Sequence, residues 1–338
     1  MKILFITLRS DEGGGPQHLF DLCHGLKNCG LDFAIAAPSE GHYGSHFKRL
    51  GSLYFELPHR RFSFRRALAL LQFCRQSSVT LIHSHGRGAG VYRRFLGLFG
   101  FKVIHTFHGA HTPSTIKRKF VSMLSLLTDI SICVSHSEKE TVLNEGQALA
   151  QNCVVIENGV KLKEKTQRPE SHPPVLGILA RFDPVKNHKA FLEILSKNTE
   201  IFHSVLLAGD GETFEECQRL VIEKNLSERV QFLGMVSDID SFFQKIDVLV
   251  SFSMTEGMPL AVLESMSRGV PVLVSKIPAH EEILSDFPEL VFQNAEEFVR
   301  KLEGLDFSVR EKLIAIIRQK YDLELMIQKT IKLYSDLK

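Results

Sequence analysis

Short apolar runs alternate along the chain with longer segments in which apolar residues recur at helical spacing. The runs predict strands at 1–8, 32–37, 79–84, 102–106, 130–134, 154–157, 175–179, 204–208, 230–232, 248–251 and 271–274. The segments between them predict helices at 13–29, 64–76, from 137, and at 189–196, 213–225, 239–245 and 260–267. This alternation is typical of βαβ units around parallel sheets, and predicts an α/β fold.

The alternation is interrupted once, at residues 158–174, by an Asn-Gly pair, a mixture of charged residues and three prolines. Such a composition is typical of a linker between domains. We therefore predict a first domain at 1–160, a linker at 161–174 and a second domain at 175–321. Residues 322–338 predict an amphipathic C-terminal helix. Two doubly wound domains bind ligands at the carboxyl ends of their strands, so a cleft there is expected.

Composition narrows the class of protein. The 338 residues are 44% hydrophobic and 24% charged, which excludes a disordered chain. No apolar stretch reaches the ~18 residues of a membrane-spanning helix, and the first six residues are too short for a signal peptide. The six cysteines include no Cys-x-x-Cys pair, which favours free thiols over a disulfide framework or a zinc site. A cytoplasmic globular protein is expected.

Charge is unevenly distributed. Residues 1–160 carry 18 Lys and Arg against 11 Asp and Glu, whereas the remainder carries 23 against 28. Residues 57–128 hold twelve Lys and Arg and no carboxylate. Such a region suits phosphates, nucleic acid or an anionic membrane. Because clusters such as 60–66, 93–102 and 117–120 combine cations with aromatic residues, we favour the membrane, against a solvated basic face over buried phenylalanines.

A glycine turn, Gly13-Gly14-Gly15, lies between the first predicted strand and its helix. Backbone amides at a helix N-terminus attract phosphate. The turn lacks both the G-x-G-x-x-G spacing and a Walker lysine, so a plain tight turn is an equal alternative.

Charged residues also follow two strands of the second domain. Arg181 and Lys186 lie on one strand-to-helix loop, where two cations can hold two phosphates, although solvated surface cations are the ordinary alternative. Glu256 and Gly257 precede a helix that Pro259 is expected to begin. Glu264 lies within that helix among apolar neighbours, where paired sugar hydroxyls would satisfy a carboxylate that otherwise pairs with Arg268 at i+4.

Two groups of residues have a composition that also occurs in metal sites. Asp238-Ile239-Asp240 follows a serine and is interpreted as the start of a helix. Five histidines lie at the ends of two predicted strands and are not expected to converge on one ion, so no metal is predicted. These five are His83, His85, His105, His108 and His111.

Taken together, these motifs resemble the retaining glycosyltransferases of family four, whose GT-B fold has two facing Rossmann-like domains. The resemblance spans nearly the whole chain. It rests on Gly13 to Leu22, His83 to Gly86, Thr106 to Gly109, Val134-Ser135, Ile156 to Val160, Arg181 with Lys186, Gly209 to Gly211, Phe232 to Gly234, and Glu256-Gly257 with Glu264. The chain departs from the pattern at Glu157, where proline is usual, and at 278–280, where many members carry two glycines.

The resemblance implies an interdomain cleft that binds a nucleoside-diphosphate sugar, and a C-terminal helix that crosses back onto the first domain. Arg181 and Lys186 would neutralise the departing diphosphate, and Glu264 would bind the ribose. Glu256 would lie near the sugar, with His108 near the sugar and the acceptor. Further donor contacts would come from Gly13, Gly14, Gly209, Gly257, Met258, Pro259 and Leu260. No metal or other cofactor is implied.

The predicted function is therefore metal-independent, retaining transfer from a nucleotide sugar, with a UDP-sugar favoured. The acceptor would be a lipid-linked or envelope glycan of lipopolysaccharide, capsule or O-antigen type, reached at the cytoplasmic face of the membrane. Alternatives are a soluble small-molecule acceptor, a nucleotide-sugar epimerase of similar fold, or an inactive sugar-binding module. A nucleic-acid partner is not expected, because no recognition module for it is present.

Overall fold

The computed structural model describes residues 1–109, 125, 127–166 and 172–337. The chain forms two compact units. Unit 1 comprises Met1–Gly159 with Leu323–Lys338, and unit 2 comprises Val160–Asp322. Of the predicted linker, 161–166 is attached to unit 2: the Thr166 amide donates to the Arg268 carbonyl at 3.0 Å. Residues 167–171 lie outside the described part of the chain.

Secondary structure follows the predicted alternation. The strands are β1 Ile3–Thr7, β2 Phe33–Ala37, β3 Leu53–Glu56, β4 Leu81–His85, β5 Lys102–Phe107, β6 Ile130–Cys133, β7 Cys153–Val155, β8 Val175–Leu179, β9 Ser204–Ala208, β10 Val230–Gly234, β11 Val248–Ser251, β12 Val272–Ser275 and β13 Val291–Phe292. The helices of the described residues are α1 Gly14–Asn28, α2 Gly44–Leu50, α3 Phe64–Gln76, α4 Gly86–Gly97, α5 His136–Asn144, α6 His188–Leu195, α7 Phe214–Glu223, α8 Ile239–Phe243, α9 Leu260–Ser267, α10 Pro278–Ile283, α11 Ala295–Glu303, α12 Arg310–Lys320 and α13 Leu323–Asp336.

Unit 1 is built on a parallel seven-stranded sheet in the order β3-β2-β1-β4-β5-β6-β7. Every residue of β1 is buried, as expected of a parallel strand covered by helices on both faces. The C-terminal helix α13 packs on α1. Gly25 permits this approach, because a Cβ atom there would lie 2.1 Å from Cδ1 of Ile327.

Unit 2 is built on a parallel six-stranded sheet in the order β10-β9-β8-β11-β12-β13. Its core is rich in phenylalanine, with Phe191, Phe252 and Phe298 in mutual ring contact. The two central strands, β8 and β11, are adjacent although two strands, β9 and β10, and three α-helices lie between them in the chain.

Several elements were not predicted, among them β3, β13 and α4. Strand β3 lies at a sheet edge, has only four residues and includes no fully buried one, so its apolar run is short. Strand β13 has only two residues. Helix α4 begins with three glycines in five residues, which lowers its intrinsic helix propensity. It forms nevertheless, because parallel strands such as β4 and β5 need a crossover connection.

Candidate active site

Both sheets reverse their strand order at one point, between β1 and β4 in unit 1 and between β8 and β11 in unit 2. In open α/β sheets, the carboxyl ends of the strands flanking such a point form the ligand crevice. All of the predicted site residues follow strands of these two sheets. Each unit therefore has its own candidate site at its own switch point.

Lys186 and Glu256 form an ion pair at the switch point of unit 2. Asp183 accepts a hydrogen bond from the Lys186 amide at 3.1 Å, and so begins the short 3₁₀ turn Pro184–Lys186 that follows β8. Lys186 Nζ donates to Oε1 of Glu256, which follows β11. The side chains are 23% and 13% exposed. Lys186 is therefore not a solvated surface cation, and partial burial makes its charge act more strongly on its surroundings.

Arg181 lies on the same loop but contacts another carboxylate. Its Nε and Nη2 both donate to Oδ2 of Asp183, at 2.9 and 2.6 Å. The guanidinium is about half exposed. The loop after β8 thus presents two cations, one held by Glu256 and one by Asp183, and their contact with a diphosphate stays a prediction.

Helix α9 carries the buried carboxylate of Glu264, whose side chain is almost fully enclosed. The guanidinium of Arg268, the alternative partner four residues further on, is bound to other acceptors. Arg268 Nε donates to Asp240 at 2.9 Å, and its Nη1 donates to the main-chain carbonyl of Glu264 at 2.8 Å. Pro259 is the residue before the helix rather than its first residue. Gly257, Met258 and Leu260 are buried around this helix start.

Gly209 joins two loops at the same edge of unit 2. It follows β9 with a φ of +137°, and a Cβ atom there would lie 2.0 Å from the carbonyl oxygen of Ala180. Its amide donates to the Gly234 carbonyl at 2.7 Å. Glycine is therefore required for the close packing of these loops, whereas its contact with the nucleotide stays a prediction.

The glycine turn of unit 1 caps helix α1. Gly13 has a φ of +145°, which side chains rarely adopt, and Gly14 is the first residue of the helix. Arg9 lies beside the turn and is held by Asp11 through two hydrogen bonds of 3.0 and 2.8 Å. The amides of the α1 N-terminus therefore lie at the carboxyl end of β1, as the phosphate prediction requires.

Three histidines converge at the switch point of unit 1, and the expectation that the strand-end histidines would not converge is wrong for two of them, His85 and His108. His18 of α1, His85 of β4 and His108 after β5 each offer a ring nitrogen, and these atoms lie within 4.8 Å of one another. Nδ1 of His85 is 3.2 Å from Nε2 of His108. The physical reason is that β4 and β5 are neighbours in the sheet, so their carboxyl ends meet.

Burial keeps these imidazoles uncharged. It lowers the pKa of His18 to about 4 and the pKa of His85 and His108 well below the usual 6.5. Neighbouring histidines lower the pKa of His85 and His108 further. At neutral pH each ring therefore offers a lone pair rather than a positive charge.

The other two described strand-end histidines have structural roles. His83 hydrogen-bonds Tyr334 at 2.6 Å and Thr106 at 2.8 Å, so it links β4 to α13 and β5. His105 bonds Ser84 at 2.8 Å. His111 lies outside the described residues.

Asp238 caps α8 by accepting from the Ser241 amide at 2.9 Å, which confirms that the Asp-x-Asp begins a helix.

Sequence reasoning missed the chemistry of His18 and Glu138. His18 occupies a buried position in line with Leu22 and Leu26 on α1, and a histidine on an apolar helix face is the signal that would have found it. Glu138 is buried, accepts from the Val134 amide at 3.0 Å, and accepts from the Gly109 amide. It therefore fixes the backbone beside His108.

The basic region is less uniform than its sequence suggests. Arg93 is buried and donates to Thr128, so it is not a surface cation, whereas Arg60 is exposed but bound to Asp11 at 2.7 Å. Residues 117–120 lie outside the described residues. An exposed surface on α3, α4 and the residues next to them, here called the α3–α4 surface, remains. It comprises Arg61, Phe62, Phe64, Arg65, Arg66, Leu68, Val91, Leu98 and Phe99.

Family comparisons decide what kind of protein carries these sites. Residues 12–164 match the model described as Glycosyltransferase Family 4, and residues 160–305 match that described as Glycosyl transferases group 1. The chain belongs to the family four glycosyltransferases. This glycosyltransferase is 31% identical over 237 residues to the UDP-Gal:alpha-D-GlcNAc-diphosphoundecaprenol alpha-1,3-galactosyltransferase of Escherichia coli. That match covers 62% of this chain and 61% of the relative.

Two further proteins align over greater lengths. The glycosyltransferase is 24% identical to the O-antigen biosynthesis glycosyltransferase WbnH of Escherichia coli, over 89% of each chain. The crystal structure of Anabaena Alr3699/HepE in complex with UDP-glucose superposes with a TM-score of 0.83, at 16% identity, over 99% of this chain and 100% of that one. The predicted α/β fold of GT-B type is thereby confirmed.

Proposed function

We propose that this glycosyltransferase moves a sugar from a nucleoside-diphosphate sugar, with UDP as the favoured nucleotide, to a lipid-linked or cell-envelope glycan. The Escherichia coli relative named for a UDP-Gal donor and a diphosphoundecaprenol acceptor supports this choice, as does the O-antigen relative. The fold neighbour that holds UDP-glucose is consistent with the donor. The observation that carries the proposal is the Lys186–Glu256 pair at the switch point of unit 2.

Lys186 and Arg181 are proposed to stabilise the leaving diphosphate. Negative charge grows on the β-phosphate as the glycosidic bond breaks, and cations fixed beforehand in a partly buried loop stabilise it most at that stage. When the donor binds, its phosphates would compete with Glu256 and Asp183 for these cations. Released from Lys186, the Glu256 carboxylate would accept hydrogen bonds from sugar hydroxyls.

The remaining contacts with the donor sugar nucleotide are proposed to come from α9 and the loop after β9. The buried Glu264 carboxylate is proposed to accept from the two ribose hydroxyls. Amides of Gly257, Met258 and Leu260 lie at the N-terminus of α9, whose dipole favours negative charge. Gly209 would bring the loop backbone against the nucleotide.

Unit 1 is proposed to act on the phosphate and the acceptor. The amides of Gly13 and Gly14 would approach the β-phosphate, and His108 would lie near the sugar and the acceptor hydroxyl. We propose retention of configuration by front-face displacement, in which the acceptor oxygen bonds to the anomeric carbon as the phosphate departs. The departing phosphate oxygen takes the acceptor proton, so no metal and no separate base is needed.

An anionic membrane is proposed as the surface on which a lipid-linked acceptor is reached. Among the described residues, no helix has the length and apolar character needed to cross a bilayer. The α3–α4 surface instead offers cations beside exposed apolar side chains, including Phe64 at 60% and Leu98 at 67% exposure. Cations attract anionic headgroups, while phenylalanine and leucine enter the boundary between headgroups and acyl chains.

The test is the release of nucleoside diphosphate, after a thermal-shift screen of nucleotide sugars has identified a donor. We expect release only when a lipid-linked glycan acceptor is added. Lys186→Ala and Glu264→Ala should each lower kcat/KM by roughly 30- to 1000-fold, since one such contact contributes about 2–4 kcal/mol to the transition state.

Lys189→Ala is the matched control, because Lys189 is an exposed lysine three residues away that pairs with Glu216 at the surface. It should retain wild-type turnover. A Lys186→Ala enzyme with wild-type turnover would contradict the assignment to the diphosphate. Release of nucleoside diphosphate without any acceptor would instead favour an epimerase or a hydrolase.

A further inference from the structure

His18, His85 and His108 come from three different elements yet place their rings together. The ring centroids of His18 and His108 are 4.6 Å apart, and those of His85 and His108 are 5.5 Å apart with the planes nearly parallel. His18 and His85 are 5.6 Å apart by the same measure. The three rings therefore surround one small space at the carboxyl end of the sheet of unit 1.

The protein leaves nitrogens of this cluster unused. Among the described residues, Nδ1 of His18 has no partner at hydrogen-bond distance, although the residue is more than nine-tenths buried and the Asn158 side chain interacts with its ring. On His85, the nitrogen 3.2 Å from His108 is Nδ1, whereas the nitrogen without a partner is Nε2. A buried polar atom without a partner is costly. The contrast with His83 is informative, because both nitrogens of that neighbouring ring are bonded to protein. Hydrogen bonds within the protein thus account for both nitrogens of His83 but for only one nitrogen of His85.

The chemistry of the cluster selects one class of ligand. Three imidazoles without a carboxylate or a thiolate favour Zn²⁺, Cu²⁺, Ni²⁺ or Co²⁺ over Mg²⁺ and Ca²⁺, which prefer oxygen. Three histidines with one open position are a known zinc arrangement, with Zn–N distances of about 2.0–2.1 Å. Tetrahedral bonds of that length separate the nitrogens by roughly 3.4 Å. Nδ1 of His85 and Nε2 of His108 are 3.2 Å apart, and the three ring nitrogens all lie within 4.8 Å of one another.

We infer that His18, His85 and His108 form a three-histidine site for a transition-metal cation such as Zn²⁺, and that the bound cation inhibits the enzyme. Binding itself needs only the geometry of unit 1. Inhibition rests on the proposed function, because it follows from the withdrawal of His108 from the sugar and the acceptor. The cation is an inhibitor in this scheme and takes no part in transfer.

Metal binding is measured on the full chain after treatment with EDTA and desalting. Zn²⁺ is titrated against a chromophoric chelator, and Co²⁺ is followed by its visible absorption, which is intense in four-coordinate sites. We expect one Zn²⁺ per chain, with binding weakened at least tenfold in His18→Gln and in His85→Gln. Undiminished binding in both variants, or no binding by the wild-type chain, would overturn the site.

Two further measurements guard against misfolded variants and surface binding. X-ray absorption of the zinc-loaded wild-type chain should show three imidazoles at about 2.0 Å, and a shell of oxygen ligands alone would reject the site. The control variant replaces His42 and His46 with Gln. His42 is exposed, with its Nδ1 3.3 Å from the Glu12 carboxylate, and the half-buried His46 lies beside it, so these residues are the competing surface group. The control should bind Zn²⁺ as the wild type does.

Inhibition is then tested by transfer assays with and without Zn²⁺. Saturating Zn²⁺ should lower kcat at least tenfold, EDTA should restore it, and the His42, His46 control should be inhibited equally. Stoichiometric binding with unchanged turnover would overturn the inhibitory half of the inference. A chain that shows no transfer even without metal would contradict the proposed function instead, and leave the binding result standing.

Discussion

At the switch point of unit 1, strands β4 and β5 end among uncharged imidazoles, whereas at that of unit 2, β8 and β11 lead into a lysine, an arginine and carboxylates. The two sheets share the same reversal of strand order. His18 and His85 are almost fully buried, while Lys186 and Glu256 remain partly exposed as an ion pair. The same sheet topology therefore places neutral imidazoles at one site and charged side chains at the other. The degree of burial determines whether the groups of each site are charged.

This difference in charge and burial suits the two sites to different ligands. Charged groups that are partly exposed and already paired can exchange their partner for a phosphate without entering a low-dielectric interior. Imidazoles that are buried and neutral repel no cation and offer lone pairs. Unit 2 is thus suited to an anion that leaves, and unit 1 to hydroxyl groups or to a metal ion.

The largest expected contrast between the units is their response to acid. In unit 1, burial lowers the pKa of His18 to about 4, that of His83 to about 3, and those of His85, His105 and His108 well below 6.5. In unit 2, the pKa is lowered for His188 and His280, each to about 4. The unfolded chain binds these protons near pH 6.5, so the free energy of unfolding falls as the pH falls from about 6.5 to about 4.

For His18 alone the loss is about 2 kcal/mol at pH 5. Hydrogen exchange at pH 7 and pH 5, corrected for the intrinsic rate, should show β1 and β4 losing at least about 30-fold more protection than β8 and β11. Equal losses in the two units would contradict the assignment of the histidine burial. A transition confined to pH values below 4 would point to carboxylates such as Asp11, whose pKa is lowered by Arg9 and Arg60 despite its burial.

The positions of the unit 2 residues after their strands were largely predictable from sequence, because these residues are close together in the chain. Arg181 and Lys186 share one loop, and Glu256, Gly257 and Glu264 share one loop and helix. Their order along the chain fixes which strand ends they follow. What sequence did not provide was the partner of each charge, since Glu256 lies 70 residues from Lys186 and Asp240 lies 28 from Arg268.

The unit 1 cluster was not predictable in the same way. Spacing along a strand says nothing about which strands are neighbours, and His85 meets His108 only because β4 pairs with β5. His18 enters from a helix at the far end of the unit's sequence. Likewise, Arg60 pairs with Asp11, which is 49 residues away in the chain. Because residues 57–128 contain no carboxylate, the local sequence shows no sign of this pair.

A smaller effect tests the surface rather than the site of unit 1. Replacing Arg65 and Arg66 with Ser should weaken binding to vesicles containing anionic lipid by about 30-fold, at about 1 kcal/mol for each cation. Sedimentation with liposomes measures the change, and salt should weaken the wild-type binding. Replacing Lys48 and Arg49, adjacent exposed cations on α2, is the matched control and should change nothing. Equal binding to neutral and anionic vesicles would reject the membrane and favour a soluble acceptor.

The smallest expected effect is that of chelation on sugar transfer. It contrasts the cations of unit 2 with the proposed metal site of unit 1. In the proposed mechanism, Arg181, Lys186 and the α9 N-terminus would supply the positive charge that a metal would otherwise bring to the diphosphate. The Asp-x-Asp is already engaged, since Asp238 caps α8 and Asp240 binds both Lys163 and Arg268. EDTA should therefore leave kcat/KM within about twofold of its starting value in a coupled assay of nucleotide release, whereas Zn²⁺ should depress it through unit 1. A complete loss in EDTA that Mg²⁺ restores would show that a metal ion, rather than the cations of unit 2, stabilises the leaving group.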